Sequence, residues 1–427
     1  MFDTQQPKDH AVLVQPLLDD IDSEQGALLA DELSHLAKTA GLVCSDTQLI
    51  RIQKISPSHF IGKGWVERLK DILEHHEAVV LVVNTALSPV QQRNLERGVN
   101  AKVVDRSGLI LEIFAARART KEGRLQVELA SLLYQQSRLV RSWTHLERQR
   151  GGVGLRGGPG ESQIEVDRRL IRKRIGKLKK SLAQVVRTRT LQRDARREVP
   201  WYTVAFVGYT NAGKSTLFNR LTNATVLAED KLFATLDPTM RGLSLPGGSK
   251  IILSDTVGFI RDLPHQLVAA FRATLEEVGE ADLLVIIVDL ADPQWSDQLK
   301  AVNTVLREMG VEKKPRLTLY NKVDQLDKAQ NAGLLERLST QDDTLFISAV
   351  TGEGEEVFLE RLEQACALAW STHTLTVPAT EGRIIARFYE EGRVVHRLDE
   401  ESNTHLTVSL PQAAAGRMKA VLEQFSV

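Results

Sequence analysis

Apolar positions recur in different rhythms along this chain, and each change of rhythm marks a change of organisation. Over the first hundred residues, the apolar runs Ala11-Val12-Leu13-Val14 and Ala78-Val79-Val80-Leu81-Val82-Val83 alternate with helical spacing at Ala27–Ala40, Trp65–His75 and Pro89–Arg97. Unbroken runs suit strands buried on both faces, so this part reads as a small α/β domain with a parallel sheet. It joins the next segment through Asp105–Ala116. There Leu125, Leu129, Leu132, Leu139, Trp143 and Leu146 repeat by threes, fours and one seven, and Ile171, Ile175, Leu178, Leu182 and Val185 by fours and threes. Between them Gly151-Gly152-Val153-Gly154-Leu155-Arg156-Gly157-Gly158-Pro159-Gly160 cannot continue a helix. The spacing predicts an antiparallel helical hairpin with the glycine loop at its tip, and Glu161 and Glu165 favourably placed at the start of its second helix. Helices of ~25 residues make an arm about 35–40 Å long.

Beyond the arm, short apolar runs each end in a polar or glycine-rich turn: Thr203-Val204-Ala205-Phe206-Val207, Ile251-Ile252-Leu253-Ser254, Leu317-Thr318-Leu319-Tyr320 and Thr344-Leu345-Phe346-Ile347. These predict buried strands of an α/β domain. A helix follows at about Glu355–Trp370. In residues 375–427, Arg383–Phe388, Val394–Leu398 and Thr404–Val408 read as strands, Glu390-Glu391-Gly392 as a hairpin turn and Gln412–Gln424 as a helix. The predicted divisions are 1–116, 117–198, 199–372 and 373–427, within the two to four domains that 427 residues allow.

Charge sharpens one of these divisions. The chain is neutral overall, with 55 Lys and Arg against 55 Asp and Glu. Between Arg117 and Glu198, however, there are about 22 basic against about 8 acidic residues, roughly +14, so the remainder carries about −14. That polarisation predicts an arm directed at a polyanion on a body that repels one. An arginine at a flexible glycine tip suits RNA, and Arg148, Arg150, Arg156, Arg168 and Arg169 are the candidate contacts. An apolar fraction of 42% excludes wholesale disorder. Cys44 and Cys366 read as separate thiols. No run is long enough to span a membrane and no leader pattern opens the chain, which predicts a cytosolic protein.

The chemistry concentrates where the strands end. Gly208-Tyr209-Thr210-Asn211-Ala212-Gly213-Lys214-Ser215 matches the phosphate-loop pattern at every fixed position, between a strand and a helix. Its backbone N–H groups and the helix N-terminus suit a β-phosphate. Lys214 is expected to reach the β- and γ-phosphates, and the Ser215 hydroxyl to ligate Mg²⁺. In Asp255-Thr256-Val257-Gly258 the carboxylate can hold the metal through water, and the Gly258 N–H can meet the γ-phosphate. Lys214 and Gly258 are thus the catalytic candidates. In Asn321-Lys322-Val323-Asp324 the aspartate accepts from guanine N1–H and its 2-amino group, donors that adenine lacks there. The backbone of Ser348-Ala349-Val350 can contact the guanine carbonyl.

These residues resemble the translation-factor class of phosphate-loop GTPases and, within it, the HflX family of ribosome-associated GTPases. The resemblance runs from about Asp105 to Gly352 and includes Leu232-Phe233-Ala234-Thr235-Leu236-Asp237-Pro238-Thr239 and Gly151-Gly152-Val153-Gly154-Leu155-Arg156. It implies a mixed α/β fold: a phosphate-loop GTPase domain preceded by a small α/β domain bearing the helical hairpin and followed by a small α+β domain. It further implies GTP and GDP as ligands, Mg²⁺, and a monomer that binds the large ribosomal subunit through the arm, in rescue or splitting of stalled ribosomes, recycling or biogenesis. In the family Phe233-Ala234-Thr235-Leu236-Asp237 forms the first switch, which makes Thr235 a second Mg²⁺ ligand. On the residues alone, Thr239 fits that part as well. The loop around Gly157-Gly158 has one glycine more than the family form.

Phe259 follows Gly258, where many GTPases place a water-orienting glutamine, so hydrolysis is expected to be slow until a partner surface or reordered switch completes the site. The resembling Phe60-Ile61-Gly62-Lys63-Gly64 is too short to be a phosphate loop and reads as a turn; His75-His76 lacks metal-like companions. Two rival expectations are an RNA-binding assembly factor with a structural nucleotide and an ATP-driven RNA-remodelling enzyme using the first domain.

Overall fold

The computed structural model describes residues 9–18, 21–141, 163–196, 202–223, 233, 239–261, 277–327, 329–400 and 402–426. They belong to two compact units: Met1–Leu182 with Glu229–Asp237 and Val257–Thr274, and Ala183–Ala228 with Pro238–Thr256 and Leu275–Val427.

The first unit opens β1 (His10–Leu17), α1 (Ser23–Thr39), β2 (Val43–Arg51), α2 (Lys63–His75), β3 (Val80–Val83), α3 (Pro89–Val99), β4 (Lys102–Asp105) and α4 (Arg106–Arg117). Its strands form a parallel sheet in the order β2-β1-β3-β4. Helix starts follow local chemistry. The Asp22 side chain caps α1, and Ser88 and Gln91 form a reciprocal box at α3 with Pro89 in its first turn. Val12, Val14, Leu81 and Val83 meet Leu69, Leu73 and Leu95 in the core. Strands β2 and β4 were not expected from sequence: β2 carries Ser45, Asp46, Thr47 and Gln48 in a half-exposed run, and β4 is only four residues long. Asp105–Ala116, expected as a connection, supplies the end of β4 and most of α4.

Two long helices follow, α5 (Lys121–Arg141) and α6 (Gln163–Arg196). Leu129, Leu132, Ile175 and Leu178 bury a common seam, flanked by Leu125, Leu133, Ile171 and Leu182, and Arg174 on α6 pairs with Glu128 on α5. Apart from Leu133 these apolar residues are positions of the predicted hairpin seam, of which Trp143 and Leu146 lie outside the described residues. Arg148, Arg150, Arg156 and the whole glycine loop lie outside the described residues; Arg168 is half-buried and Arg169 exposed on α6.

The second unit holds β5 (Tyr202–Gly208), α7 (Lys214–Thr222), β6 (Thr239–Ser244), β7 (Lys250–Asp255), β8 (Leu283–Asp289), α8 (Trp295–Glu308), β9 (Arg316–Asn321), α9 (Ala332–Ser339), β10 (Thr344–Phe346) and α10 (Glu355–Ala369). The sheet order is β10-β9-β8-β5-β7-β6, parallel except for β6 on the edge. Val204, Phe206, Val285, Ile287 and Leu319 fill its interior with Phe218 and Phe358. Strand β5 lies between β7 and β8, so the strand order reverses at it, the position at whose carboxyl end doubly wound sheets bind ligands.

The carboxy-terminal part corrects the sequence reading. Its sheet is β11 (Trp370–Pro378), β12 (Arg393–Asp399) and β13 (Asn403–Pro411), antiparallel in the order β11-β13-β12. Arg383–Phe388 is not a strand but lies within α11 (Gly382–Glu391), where Ile385 and Phe388 face inward one turn apart and Arg383 and Arg387 face out. Glu390 and Glu391 therefore end a helix rather than a hairpin, and Trp370 starts a strand. The final helix divides at Met418 into α12 (Gln412–Arg417) and α13 (Lys419–Phe425).

Candidate nucleotide site

The loop Tyr209–Gly213 leaves the central strand β5 and turns into α7. Gly213 has φ +95, and a Cβ there would stand 2.1 Å from Asn321 Nδ2. Only glycine satisfies both the left-handed turn and that approach. Tyr209, Thr210 and Ala212 are buried and Asn211 is exposed, so the loop wall is packed while its crest faces solvent.

Lys214 is buried at the first position of α7. Its ammonium donates to the carbonyls of Tyr209, at 2.6 Å, and Gly208, at 3.2 Å. Burial pushes the ammonium down to about 8, against the opposing pull of Asp255. The loop thus already holds a cation where phosphate oxygens are expected. Ser215 donates its hydroxyl to Asp255 Oδ2 at 2.7 Å, bringing two hard oxygen donors together at the ends of α7 and β7. Thr256 is buried and donates to the Phe206 carbonyl at 2.5 Å.

On the far side of the loop, Asn321 at the end of β9 joins two parts of the site. Its Nδ2 donates to the Ala212 carbonyl at 2.8 Å, and its Oδ1 accepts from the Ala349 N–H at 2.9 Å. One buried amide therefore sets the phosphate loop against Ser348-Ala349-Val350. Lys322 adopts φ +66 and pairs with Asp289 at 2.7 Å. Asp289 is pushed up by burial, against the bond from Lys322. Asp324 sits in the 3-10 turn Val323–Gln325 and is exposed. The carboxylate expected to read guanine is thus not buried beforehand, and any discrimination would come from bonds formed on ligand binding. Ser348 and Ala349 are buried and Val350 exposed.

The structure therefore brings Gly208–Ser215, Asp255, Thr256, Asn321–Asp324 and Ser348–Val350 together around one sheet end in the second unit. Val257, Gly258 and Phe233 fall in the first unit. Phe233 has φ +56 and is buried edge-on against Phe114, 4.6 Å between ring centroids. Ala234, Thr235, Leu236 and Asp237 lie outside the described residues. Thr239, the other threonine considered, is held in β6 opposite Asp255, a ladder position that ties down its backbone. Phe259 is buried. Arg220, which the motifs did not single out, binds the Val350 carbonyl at 3.0 Å. Its only sequence signal is its place on the helix after the phosphate loop.

No helix among the described residues is long and apolar enough to cross a membrane. Family models match four successive stretches: residues 29–115 (GTP-binding GTPase N-terminal), 117–196 (GTP-binding GTPase Middle Region), 203–322 (50S ribosome-binding GTPase) and 333–425 (HflX C-terminal domain). The GTPase HflX of Magnetococcus marinus is 58% identical over 427 residues, spanning 100% of this chain and 98% of that one. The GTPase HflX of Escherichia coli (strain K12) is 42% identical over 417 residues, 96% of each chain. A GTP-binding protein of Sulfolobus solfataricus, solved with GDP, is 25% identical, with a TM-score of 0.45 and coverage of 84% of this chain and 99% of that one. A phosphate-loop pattern after strand β5 and relatives of this similarity, matched over nearly the whole of both chains, make the chain a GTP hydrolase that belongs to the GTPase HflX family.

Proposed function

We propose that this GTPase is a switch that binds the large ribosomal subunit and acts in rescue or splitting of stalled ribosomes, recycling or subunit biogenesis. The observation that carries the reading is the joining, in one chain, of a GTPase core to a basic two-helix arm with a packed seam. Along α6, Arg169, Arg172, Lys173, Arg174, Lys177, Lys179 and Lys180 are exposed, a row of cations suited to a phosphate backbone. A matching family model described as a 50S ribosome-binding GTPase supports the same partner. The arm's proposed RNA contacts are Arg148, Arg150, Arg156, Arg168 and Arg169.

In this reading the Gly208–Ser215 backbone cradles the phosphates, Lys214 turns from its own loop carbonyls to the β- and γ-phosphates, and Asp324 with the Ser348–Val350 backbone selects guanine. Ser215 and Asp255 fit Mg²⁺, a hard ion that favours oxygen and keeps several waters. Ser215 and Thr235 are the proposed side-chain ligands, and the ion would neutralise charge on the transferred phosphoryl group. Gly258 would sense the γ-phosphate through its N–H.

Because Phe259 offers no hydrogen bond and is buried, intrinsic hydrolysis is slow and the ribosome completes the site. Pelleting of large subunits with the protein in GTP, GDP and a non-hydrolysable analogue tests the switch. Preferential binding in the triphosphate states and faster turnover with subunits are expected; equal binding in GTP and GDP, or fast turnover by the protein alone, overturns it.

A further inference from the structure

The loop expected to meet the guanine carbonyl, Ser348-Ala349-Val350, is held from two sides. Asn321 takes the Ala349 N–H on one. On the other stands Arg220, two turns beyond Lys214 on α7. Its Nη1 donates to the Val350 carbonyl at 3.0 Å, and its Nε donates to Glu355, the first residue of α10.

The contact is built into the loop's backbone. Gly352 has φ +88, and a Cβ there would lie 2.0 Å from Arg220 Nη2 and 2.6 Å from its Cζ. The guanidinium therefore lies against bare backbone, a place no other residue type at 352 would leave open. Within the loop, Gly352 N–H bonds the Ser348 carbonyl at 2.8 Å and Thr351 N–H bonds the Ser348 hydroxyl at 3.0 Å. These bonds set the loop's shape. They do not tie it to the phosphate-binding helix, which Arg220 does.

We propose that Arg220 is a positioning residue for base recognition: it ties the guanine-carbonyl loop to the helix that begins with Lys214, so that phosphate and base ends of the nucleotide are held at one spacing. The inference rests on the guanine reading of Asp324 and the 348–350 loop. Arg220 touches no nucleotide atom in this role. Its side chain is 36% exposed and that of Glu355 25%, and such an ion pair contributes little to global stability. Base affinity and folding are therefore separable in its variants.

The test compares Arg220→Ala, Arg220→Lys and Glu355→Gln with the parent in the full-length protein. Dissociation constants are measured for GDP and for 2-aminopurine riboside diphosphate, which lacks the 6-carbonyl but keeps the 2-amino group. The KM and kcat for GTP and the thermal midpoint are also measured. For Arg220→Ala we expect GDP affinity and the KM for GTP to worsen about tenfold, the scale of one charge-assisted hydrogen bond. Saturated kcat and the thermal midpoint stay near the parent values, and 2-aminopurine riboside diphosphate affinity changes less than twofold. Lysine restores part of the loss, since an ammonium reaches one of the two partners; Glu355→Gln gives an intermediate loss. Unchanged GDP affinity, or an equal loss for both diphosphates, overturns the role. Asp324→Asn runs alongside: if it leaves guanine preference intact, the guanine reading itself has failed, whereas a collapse of preference there with a silent Arg220→Ala rejects Arg220 alone.

Discussion

Asp105 and Arg138 meet at 2.5 Å, carboxylate to guanidinium, and so fasten the last turn of α5 to the end of the first parallel sheet. The carboxylate is buried and also accepts from Leu87 N–H at 3.1 Å, Gly108 N–H at 2.8 Å and the Tyr134 hydroxyl at 2.6 Å. Four donors converge on one charge, and Arg138 lies over the Tyr134 ring, 4.1 Å from its centroid. Burial, with Asp105 beside it, pushes the Tyr134 phenol up, so the hydroxyl remains a donor through the physiological range. Asp105→Asn should leave the Arg138 cation uncompensated and cost about 3–5 kcal/mol. Tyr134→Phe should cost about 1 kcal/mol. Urea denaturation of the two variants checks the order, and equal losses would count against a charge-centred joint.

Arg106 makes a second joint in the same unit. Its buried guanidinium binds Glu32 and Asn84, each at 2.7 Å, and the Arg261 carbonyl at 3.1 Å, three residues beyond Gly258. Arg106→Met should destabilise by about 3–5 kcal/mol because it takes the guanidinium away from the largely buried Glu32 carboxylate, while adding Glu32→Met should recover much of that loss. A double-mutant cycle in urea measures the coupling.

Gly213→Ala should raise the dissociation constant of GDP at least tenfold. Its methyl group would enter the space of the Asn321 amide and demand an unfavourable φ, so the phosphate loop and the base loop would part together. Gly416→Ala, at a position where a Cβ meets nothing within 4 Å, is the control and should bind normally. Fluorescent-nucleotide displacement reads both.

Lys214 gives the site a pH dependence with a definite sign. In the free protein its ammonium is lowered to about 8, so above that pH the folded chain has released a proton that the unfolded chain still holds. Folding stability from this group therefore rises with pH from about 8 toward its ordinary value of 10.5. Nucleotide binding runs the other way. Phosphates favour the ammonium, so GDP binding takes up a proton above pH 8 and weakens by about tenfold near pH 9. Calorimetry in buffers of different ionisation enthalpy detects the uptake, and Lys214→Ala, which leaves the guanine's own titration in place, should lack it.

Phe259→Gln should not create a fast GTPase. The ring is buried, so a glutamine there brings an amide into the interior at a cost of about 1–3 kcal/mol without facing a water. Single-turnover hydrolysis and thermal melting test this; a gain of tenfold or more in rate would refute it.

The sites most legible in sequence were those where chemistry dictates residue type locally. The Gly213 turn, the Lys214 cation and the Asn321–Asp324 turn are each set by contiguous residues at a strand end. The first sheet's β1 and β3 were equally plain, since both are unbroken apolar runs. Arg383–Phe388 misled because a six-residue stretch with four apolar positions fits a strand or a helix until its neighbours settle which face is buried.

The amino-acid sequence by itself determined the nucleotide-binding fold, the basic heptad arm and the order of the parts. Each depends on periodicity or on residues a few positions apart. Only the tertiary structure decided how Asn321 bridges two loops, how Arg220 reaches Val350, and how Asp105 and Arg106 anchor distant segments. Among those contacts the Asn321–Ala349 bond spans 28 positions and the Arg106–Arg261 bond 155, and nothing local in a chain specifies which far neighbour a buried charge or amide will meet. That choice is made by strand order and helix packing, after which each buried polar group must be paired.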